Sequence, residues 1–125
     1  MQPLIIEPTQ KSPLIELKYG ELNFSGCSVH NDPRTFFTPV LNWIVEYLED
    51  PPEETLVNIK FEYIDSSSLK FIFETLRLLE HASGDKRIKV NWHYEQNDAD
   101  ILELGEIIQS KINIDFNFIE DKLVN

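Results

Sequence analysis

The sequence predicts an α/β fold in which a mixed, mostly parallel sheet carries an N-terminal hairpin and about three flanking helices. Two observations carry this prediction. Strand-like alternation and helical apolar spacing follow one another along the chain, and their order is β-β-α-β-α-β-α-β. Successive strand–helix–strand units favour parallel pairing with right-handed connections. The length of 125 residues predicts one domain that spans residues 1–125.

Short strand-like segments dominate the N-terminal part of the chain. Residues 1–13 contain three prolines, and they predict an arm or short strand followed by a loop. Two short alternating segments on either side of Gly20 predict a β-hairpin, which we expect to end at Gly26.

The first helix has recognisable signals at both ends. Asp32 is a favourable N-cap, and Pro33 suits the first helical position. Pro39 lies inside the apolar pattern that follows, so it either kinks the helix or moves the helix start to about Thr38. The pair Pro51-Pro52 prevents the helix from continuing further.

The rest of the chain predicts two more helices between strands. Residues 55–64 alternate between apolar and polar side chains, which makes them the most distinct strand. The helix that follows Asp65 is expected to end at Gly84, a residue typical of the first position after a helix. The remaining elements are a strand over 87–94, a helix that opens at Asn97 or Asp98, and a strand over 115–119.

The charge of the chain excludes several kinds of partner. Twenty-two acidic residues against eleven basic ones give a formal net charge of -11, which repels nucleic acids and anionic membrane surfaces.

Other features of the sequence bear on where the protein is located. No apolar run approaches the roughly 18 to 20 residues that a membrane span requires. The single Cys27 cannot form an internal disulfide, and the N-terminus lacks the features of a signal peptide. These observations predict a cytoplasmic protein.

The motifs of common catalytic sites are missing from the sequence. Its four glycines form no phosphate-binding loop, and His30, His81 and His93 are too far apart for a metal-ligand motif. Cys27 is expected to be a small buried residue rather than a nucleophile. We therefore predict no metal, no cofactor and no enzymatic activity.

One segment does suggest a functional site: Asp65 and three serines follow a strand and precede a helix. These residues are common helix caps, because their side-chain oxygens accept hydrogen bonds from free backbone N–H groups. The same position also suits a regulatory phosphate, since the start of a helix favours anions. A phosphate on Ser66 would add about -1.5 to -2 charges and three acceptor oxygens. The residues alone leave both interpretations open.

Several short motifs occur in a recognisable order along the chain. Residues 24–28 read F-S-G-C-S, 36–44 read F-F-T-P-V-L-N-W-I, and 62–70 read E-Y-I-D-S-S-S-L-K. Further on, residues 90–94 read V-N-W-H-Y and 102–106 read L-E-L-G-E. Together these motifs, spread over roughly residues 14–119, resemble those of the SiaC family of bacterial regulatory phosphoproteins.

The resemblance implies a fold, a function and a set of partners. The fold would be STAS-like, similar to that of anti-anti-sigma factors. The protein would be a non-enzymatic switch acted on by a protein kinase and a PP2C-type phosphatase. Its unmodified form would bind and activate a diguanylate cyclase, the enzyme that makes cyclic di-GMP, and phosphorylation would block this binding. An anti-anti-sigma-like protein that binds an anti-sigma kinase is the alternative, and a small ligand-binding or enzyme domain is a weaker one.

The resemblance also assigns site residues. The family's phosphoacceptor aligns with Ser66, which replaces the family's Thr, and Asp65 replaces the preceding Asn. Ser67 then becomes an alternative acceptor. The residues expected to contact a partner are Asp65, Ser66, Ser67, Ser68, Lys70, His93 and Tyr94.

Overall fold

The computed structural model describes residues 1–122, which form six strands and three helices. Five of the strands and the three helices follow the predicted order, and one further short strand precedes them within the N-terminal arm. The strands are β1 (Leu4–Ile6), β2 (Leu14–Lys18), β3 (Glu21–Ser28), β4 (Glu54–Ile64), β5 (Arg87–Glu95) and β6 (Asp115–Asp121). The helices are α1 (Pro33–Tyr47), α2 (Ser66–Ala82) and α3 (Ala99–Lys111).

All six strands belong to one sheet, in which they lie in sequence order from β1 to β6. The β1–β2 and β2–β3 pairs are antiparallel, whereas β3, β4, β5 and β6 pair in parallel. Each parallel connection contains one helix, so right-handed crossovers in a sheet of this order place all three helices on the same face. The prediction of a mixed, mostly parallel sheet with an N-terminal hairpin is confirmed.

The core lies between the helices and that one face of the sheet. Along β4 the buried side chains alternate with exposed or half-buried ones, and Val57, Ile59 and Phe61 belong to the buried set. The rings of Phe37 on α1 and Phe71 on α2 stack with centroids 5.3 Å apart, which joins the two helices. The opposite face of the sheet has no helix against it in residues 1–122, and we call it the open face.

An asparagine from each of four neighbouring strands forms a row across the open face. The strand register aligns Asn23 with Asn58, Asn58 with Asn91, and Asn91 with Asn117. The amides of Asn58, Asn91 and Asn117 each donate to the carbonyl oxygen of the asparagine on the preceding strand, at 2.9, 3.0 and 3.3 Å respectively. These bonds satisfy polar side chains in strand interiors, where asparagine is otherwise unfavourable.

Helix α3 approaches the sheet closely at Gly105. A Cβ atom at this position would lie 2.6 Å from two atoms of the Trp92 ring and 2.8 Å from a ring carbon of Phe118. Trp92 is fully buried, and its indole N–H donates to the carbonyl oxygen of Ile101 at 2.9 Å. The glycine therefore allows the helix to lie directly on a tryptophan.

Most predicted helix ends are confirmed. Asp32 caps α1 by accepting a hydrogen bond from the Thr35 amide, and Pro33 is the first helical residue. The alternative start near Thr38 is wrong, because Pro39 lies inside the helix. Gly84 follows α2 with a φ of 65°, as its predicted C-terminal position requires. None of the helices in residues 1–122 is long and apolar enough to cross a membrane.

Two predictions near the end of β3 are wrong. Gly26 does not end the strand, which continues to Ser28; the register with β4 shifts just after Gly26, whose φ is 101°. Cys27 is half-exposed rather than buried, and its Sγ lies 3.7 Å from a carboxylate oxygen of Glu62. Partial desolvation and that carboxylate raise the pKa of the Cys27 thiol, which makes it a weaker nucleophile at neutral pH.

Candidate functional site

Asp65 organises the junction between β4 and α2. It is the N-cap of α2, and its extended backbone lets the carboxylate turn back over the first turn. One carboxylate oxygen accepts from the Ser68 amide at 2.8 Å and from the Ser67 hydroxyl at 3.1 Å. The other accepts from the His30 amide at 3.3 Å, which ties the end of β3 to the start of α2.

The hydrogen bonds to Asp65 favour its ionised form. Partial burial by itself raises the pKa of this carboxyl group, but the donors from Ser68, His30 and Ser67 outweigh burial, and the pKa falls below its ordinary value of 3.8. Asp65 is therefore a carboxylate at neutral pH. A fixed negative charge lies beside the candidate phosphorylation site before any modification occurs.

The three serines after Asp65 differ in their access to solvent. Ser66 is exposed, and within residues 1–122 its hydroxyl has no hydrogen-bond partner. The Ser67 hydroxyl donates to Asp65, whereas Ser68 is fully buried. Ser66 is also the first residue of α2, where free amides and the helix dipole favour an anion. Ser66 is thus the most accessible of the three serines.

A cluster of aromatic rings lies behind this junction. The His30 ring stacks on Phe36 at 4.4 Å between centroids and meets Phe37 edge-on at 5.7 Å. Desolvation lowers the pKa of His30, and the nearby Asp65 carboxylate only partly opposes this shift. His30 is therefore neutral at pH 7, and it does not cancel the charge of Asp65.

A groove between α2 and α3 begins at Ser66. It has a volume of about 160 Å³, and we call it the α2–α3 groove. It is lined by Ser66, Leu69, Lys70, Phe73, Ile107, Ile108 and Lys111. The sequence predicts Ser66 and Lys70 as contact residues, but the other five lining residues were missed: Leu69, Phe73, Ile107, Ile108 and Lys111. Their contribution depends on how α3 packs beside α2, which no local motif encodes.

His93 and Tyr94 lie on opposite faces of the sheet. His93 shares the open face with Asn91, and its ring nitrogen lies 3.2 Å from a carboxylate oxygen of Asp121. Lys60 approaches the same Asp121 carboxylate at 3.6 Å. Tyr94, the next residue along β5, is half-buried and packs against the core. The strand alternation therefore separates these two side chains from each other and turns His93 away from the helices.

A second, polar cleft lies at the other end of the parallel strands. Its volume is about 330 Å³, and it brings together Glu80, Lys86, Arg87 and Asp115. Two of these groups are paired inside the protein, since Glu80 accepts from the Asn113 amide and Lys86 lies 2.5 Å from Glu53. Within residues 1–122, no three His, Cys, Asp or Glu side chains converge as they would around a metal ion.

Comparisons with known proteins agree with the motifs. The family model described as SiaC family regulatory phosphoprotein matches residues 6–121. An uncharacterised protein of Pseudomonas aeruginosa strain UCBPP-PA14 is 28% identical over 119 residues, which cover 93% of this chain and 94% of that protein.

Solved structures extend the likeness to three dimensions. SiaC of Pseudomonas aeruginosa matches with a TM-score of 0.87 at 27% identity, over 97% of this chain and all of that one. A chain in the crystal structure of the diguanylate cyclase SiaD in complex with its activator SiaC, also from P. aeruginosa, matches with a TM-score of 0.87 at 26% identity. That match covers 94% of this chain and 99% of the other. The family model alone covers nearly the whole sequence, and the chain therefore belongs to the SiaC family of regulatory phosphoproteins.

Proposed function

We propose that this protein is a non-enzymatic switch that binds and activates a diguanylate cyclase when unmodified. A phosphate on Ser66 blocks that binding. The proposal is supported by the likeness to SiaC, which is the activator in a complex with the diguanylate cyclase SiaD. The observation that carries the site is the exposure of Ser66 beside the buried Ser68 and the hydrogen-bonded Ser67.

The switch depends on charge rather than on unfolding. A phosphate at the first position of α2 meets free backbone amides and the positive end of the helix dipole, so the modified protein keeps its fold. Its charge adds to the Asp65 carboxylate. A partner that covers this junction then has to desolvate both anions, which costs several kcal/mol unless its own cations meet them.

Two modifying enzymes complete the proposal. A protein kinase adds the phosphate to Ser66, and a PP2C-type phosphatase removes it. The kinase needs access to the hydroxyl of residue 66 and the phosphatase needs access to its phosphate ester, and the exposed position of Ser66 at the start of α2 meets both requirements. Asp65, Ser67 and Lys70 are proposed to form the surface that partners recognise around it. The sequence also predicts Ser68 as a contact, but Ser68 is fully buried and cannot touch a partner while the helix start stays folded. His93 and Tyr94 remain predicted contacts of a partner that extends beyond this junction.

The decisive experiment compares Ser66→Ala with Ser66→Glu. Binding to the diguanylate cyclase of the same host is measured by calorimetry, and cyclic di-GMP synthesis is measured in parallel. We expect Ser66→Ala to bind within about twofold of the wild type, and Ser66→Glu to bind at least about tenfold more weakly because of like-charge repulsion.

Two controls separate the site from general effects. Gln109→Glu adds one negative charge at an exposed position of α3 that does not line the groove, and it should leave binding unchanged. Ser67→Ala should retain phosphorylation, because it leaves the Ser66 hydroxyl in place. Mass spectrometry of kinase-treated protein should place the phosphate on Ser66. Equal binding by the Ala and Glu variants at position 66 would refute the proposed switch. A phosphate found on Ser67 alone would show that Ser67, and not Ser66, is the phosphorylation site.

A further inference from the structure

The α2–α3 groove has a chemical character that differs from the rest of the protein. Its floor is apolar, formed by Leu69, Phe73 and the fully covered Ile108. Ile107 lines it with 43% of its surface still exposed. An exposed isoleucine beside an open apolar floor is a surface that gains free energy when a partner covers it.

The rim of this groove is positively charged. Lys70 and Lys111 both line it, and Arg77 lies just beyond, with its guanidinium carbon 5.8 Å from the centre of the Phe73 ring. No acidic residue is among the seven that line the groove, although acidic residues outnumber basic ones by two to one in the whole chain. The groove therefore selects a ligand with an apolar centre and negatively charged flanks.

Ser66 lies at the end of the same groove, four residues before Lys70. Residues four apart on a helix are neighbours on its surface, so a phosphate on Ser66 is within reach of the Lys70 ammonium group. The phosphate and an acidic ligand would compete for the same lysines.

We propose that the α2–α3 groove is the docking site for an acidic segment of the diguanylate cyclase, which places a large apolar side chain in the groove and carboxylates against Lys70 and Lys111. This inference rests on the proposed function and adds its contact chemistry. A phosphate on Ser66 releases this segment by pairing with the lysines and repelling the carboxylates. The size of the groove, about 160 Å³, suits one large apolar side chain rather than a small-molecule ligand.

The test uses exposed residues, so that the variants keep their fold. Ile107→Asp places a charge in the groove, and Val45→Asp is its matched control on α1, where Val45 is 53% exposed. We expect the first to weaken cyclase binding at least about tenfold and the second to change it less than about twofold. Lys111→Met should weaken binding and flatten its dependence on salt, since it removes one ion pair.

A double-mutant cycle tests the release step. In the Lys70→Met/Lys111→Met protein, Ser66→Glu should cause a smaller additional loss than it does in the wild type, because the lysines that it would capture are gone. If Ile107→Asp and Lys111→Met bind the cyclase as tightly as the wild type while Ser66→Glu still binds it weakly, the groove is not the docking site. The proposed phosphorylation switch would not be affected by that result. A wild-type protein that does not bind the cyclase would instead refute the proposed function. A concentration-dependent dimer that Ile107→Asp abolishes would show that a second copy of the chain occupies the groove, which would also overturn the inference.

Discussion

Replacing Gly105 by alanine tests the close contact between α3 and the sheet. The added Cβ would lie 2.6 Å from Trp92 and 2.8 Å from Phe118, which is about 1 Å less than the separation at which carbon atoms normally pack. Both obstacles are ring atoms of core side chains, and Trp92 is fully buried. The helix must therefore move outward, or the tryptophan ring must rotate.

Opposing contributions determine how much Gly105→Ala changes the free energy of unfolding. Overpacking of a core costs about 1–3 kcal/mol, and alanine in place of glycine in a helix returns about 1 kcal/mol. If the Trp92 ring moves, its bond to the Ile101 carbonyl lengthens from 2.9 Å, and a buried donor left unpaired costs about 1–3 kcal/mol. We expect Gly105→Ala to lower the free energy of unfolding by about 2 kcal/mol, with the larger penalties outweighing the helix preference.

Urea unfolding followed by circular dichroism measures this change without relying on the altered tryptophan. Ser110→Ala serves as the control, because Ser110 is exposed on the same helix and its replacement should change stability by less than about 0.5 kcal/mol. Fluorescence provides a second readout when Trp43 is replaced by Phe, so that Trp92 is the remaining tryptophan of the chain; the spectrum should shift in Gly105→Ala and not in Ser110→Ala. A Gly105→Ala protein as stable as the wild type would refute the argument that the helix lies on the indole ring.

Two further changes test the cap of α2 and the asparagine row. Asp65→Ala should lower the free energy of unfolding by about 1 kcal/mol at pH 7 by removing the acceptor of the Ser68 amide, whereas Asp65→Asn should retain most of that stability. Because the pKa of Asp65 is lowered in the folded protein, its stabilisation is complete above the ordinary pKa of 3.8 and is lost as the pH falls through the folded value. The difference between wild type and Asp65→Ala should therefore shrink in urea titrations at pH 3, and a constant difference would contradict this assignment. Asn58→Ala removes two bonds from the row and should lower the free energy of unfolding by about 1 kcal/mol, more than Asn117→Ala at the exposed end of the row. Equal losses from the two changes would contradict this ranking, and no loss from either would show that the row adds no stability.

Local chemistry explains which parts of the fold the sequence predicts. The ends of α1 and α2 are encoded by single residues: Pro33 suits a first turn, Asp65 accepts the bonds of a helix start, and Gly84 adopts a positive φ. Gly26 has the same backbone freedom, but the neighbouring β4 continues to pair beyond it, so the chain forms a bulge instead of a turn. The prediction at Gly26 fails because pairing with a distant strand decides the outcome.

Some residues of the candidate site are predicted by local sequence, and others depend on tertiary packing. The position of Ser66 at a helix start follows from its neighbours in sequence, and so does the role of Asp65 as a cap. The involvement of Ile107 and Lys111 does not, because it depends on the packing of α3 beside α2. The placement of His93 on the open face, by contrast, follows from the local alternation of β5, which puts it with Asn91 on the side opposite the buried Val90 and Trp92.

The asparagine row has a direction as well as a position. Every amide in it donates toward β3, and the last one, on Asn23, donates to the Glu21 carboxylate at 3.4 Å. Aligned amides polarise one another, so their dipoles add and the carboxylate meets the positive end of the row. A slip of one residue in any of these strands would replace its asparagine by a core side chain such as Val57 or Val90 and break the row. The hydrogen bonds of the asparagine row therefore favour the observed register of these strands, and they do so without any apolar contact.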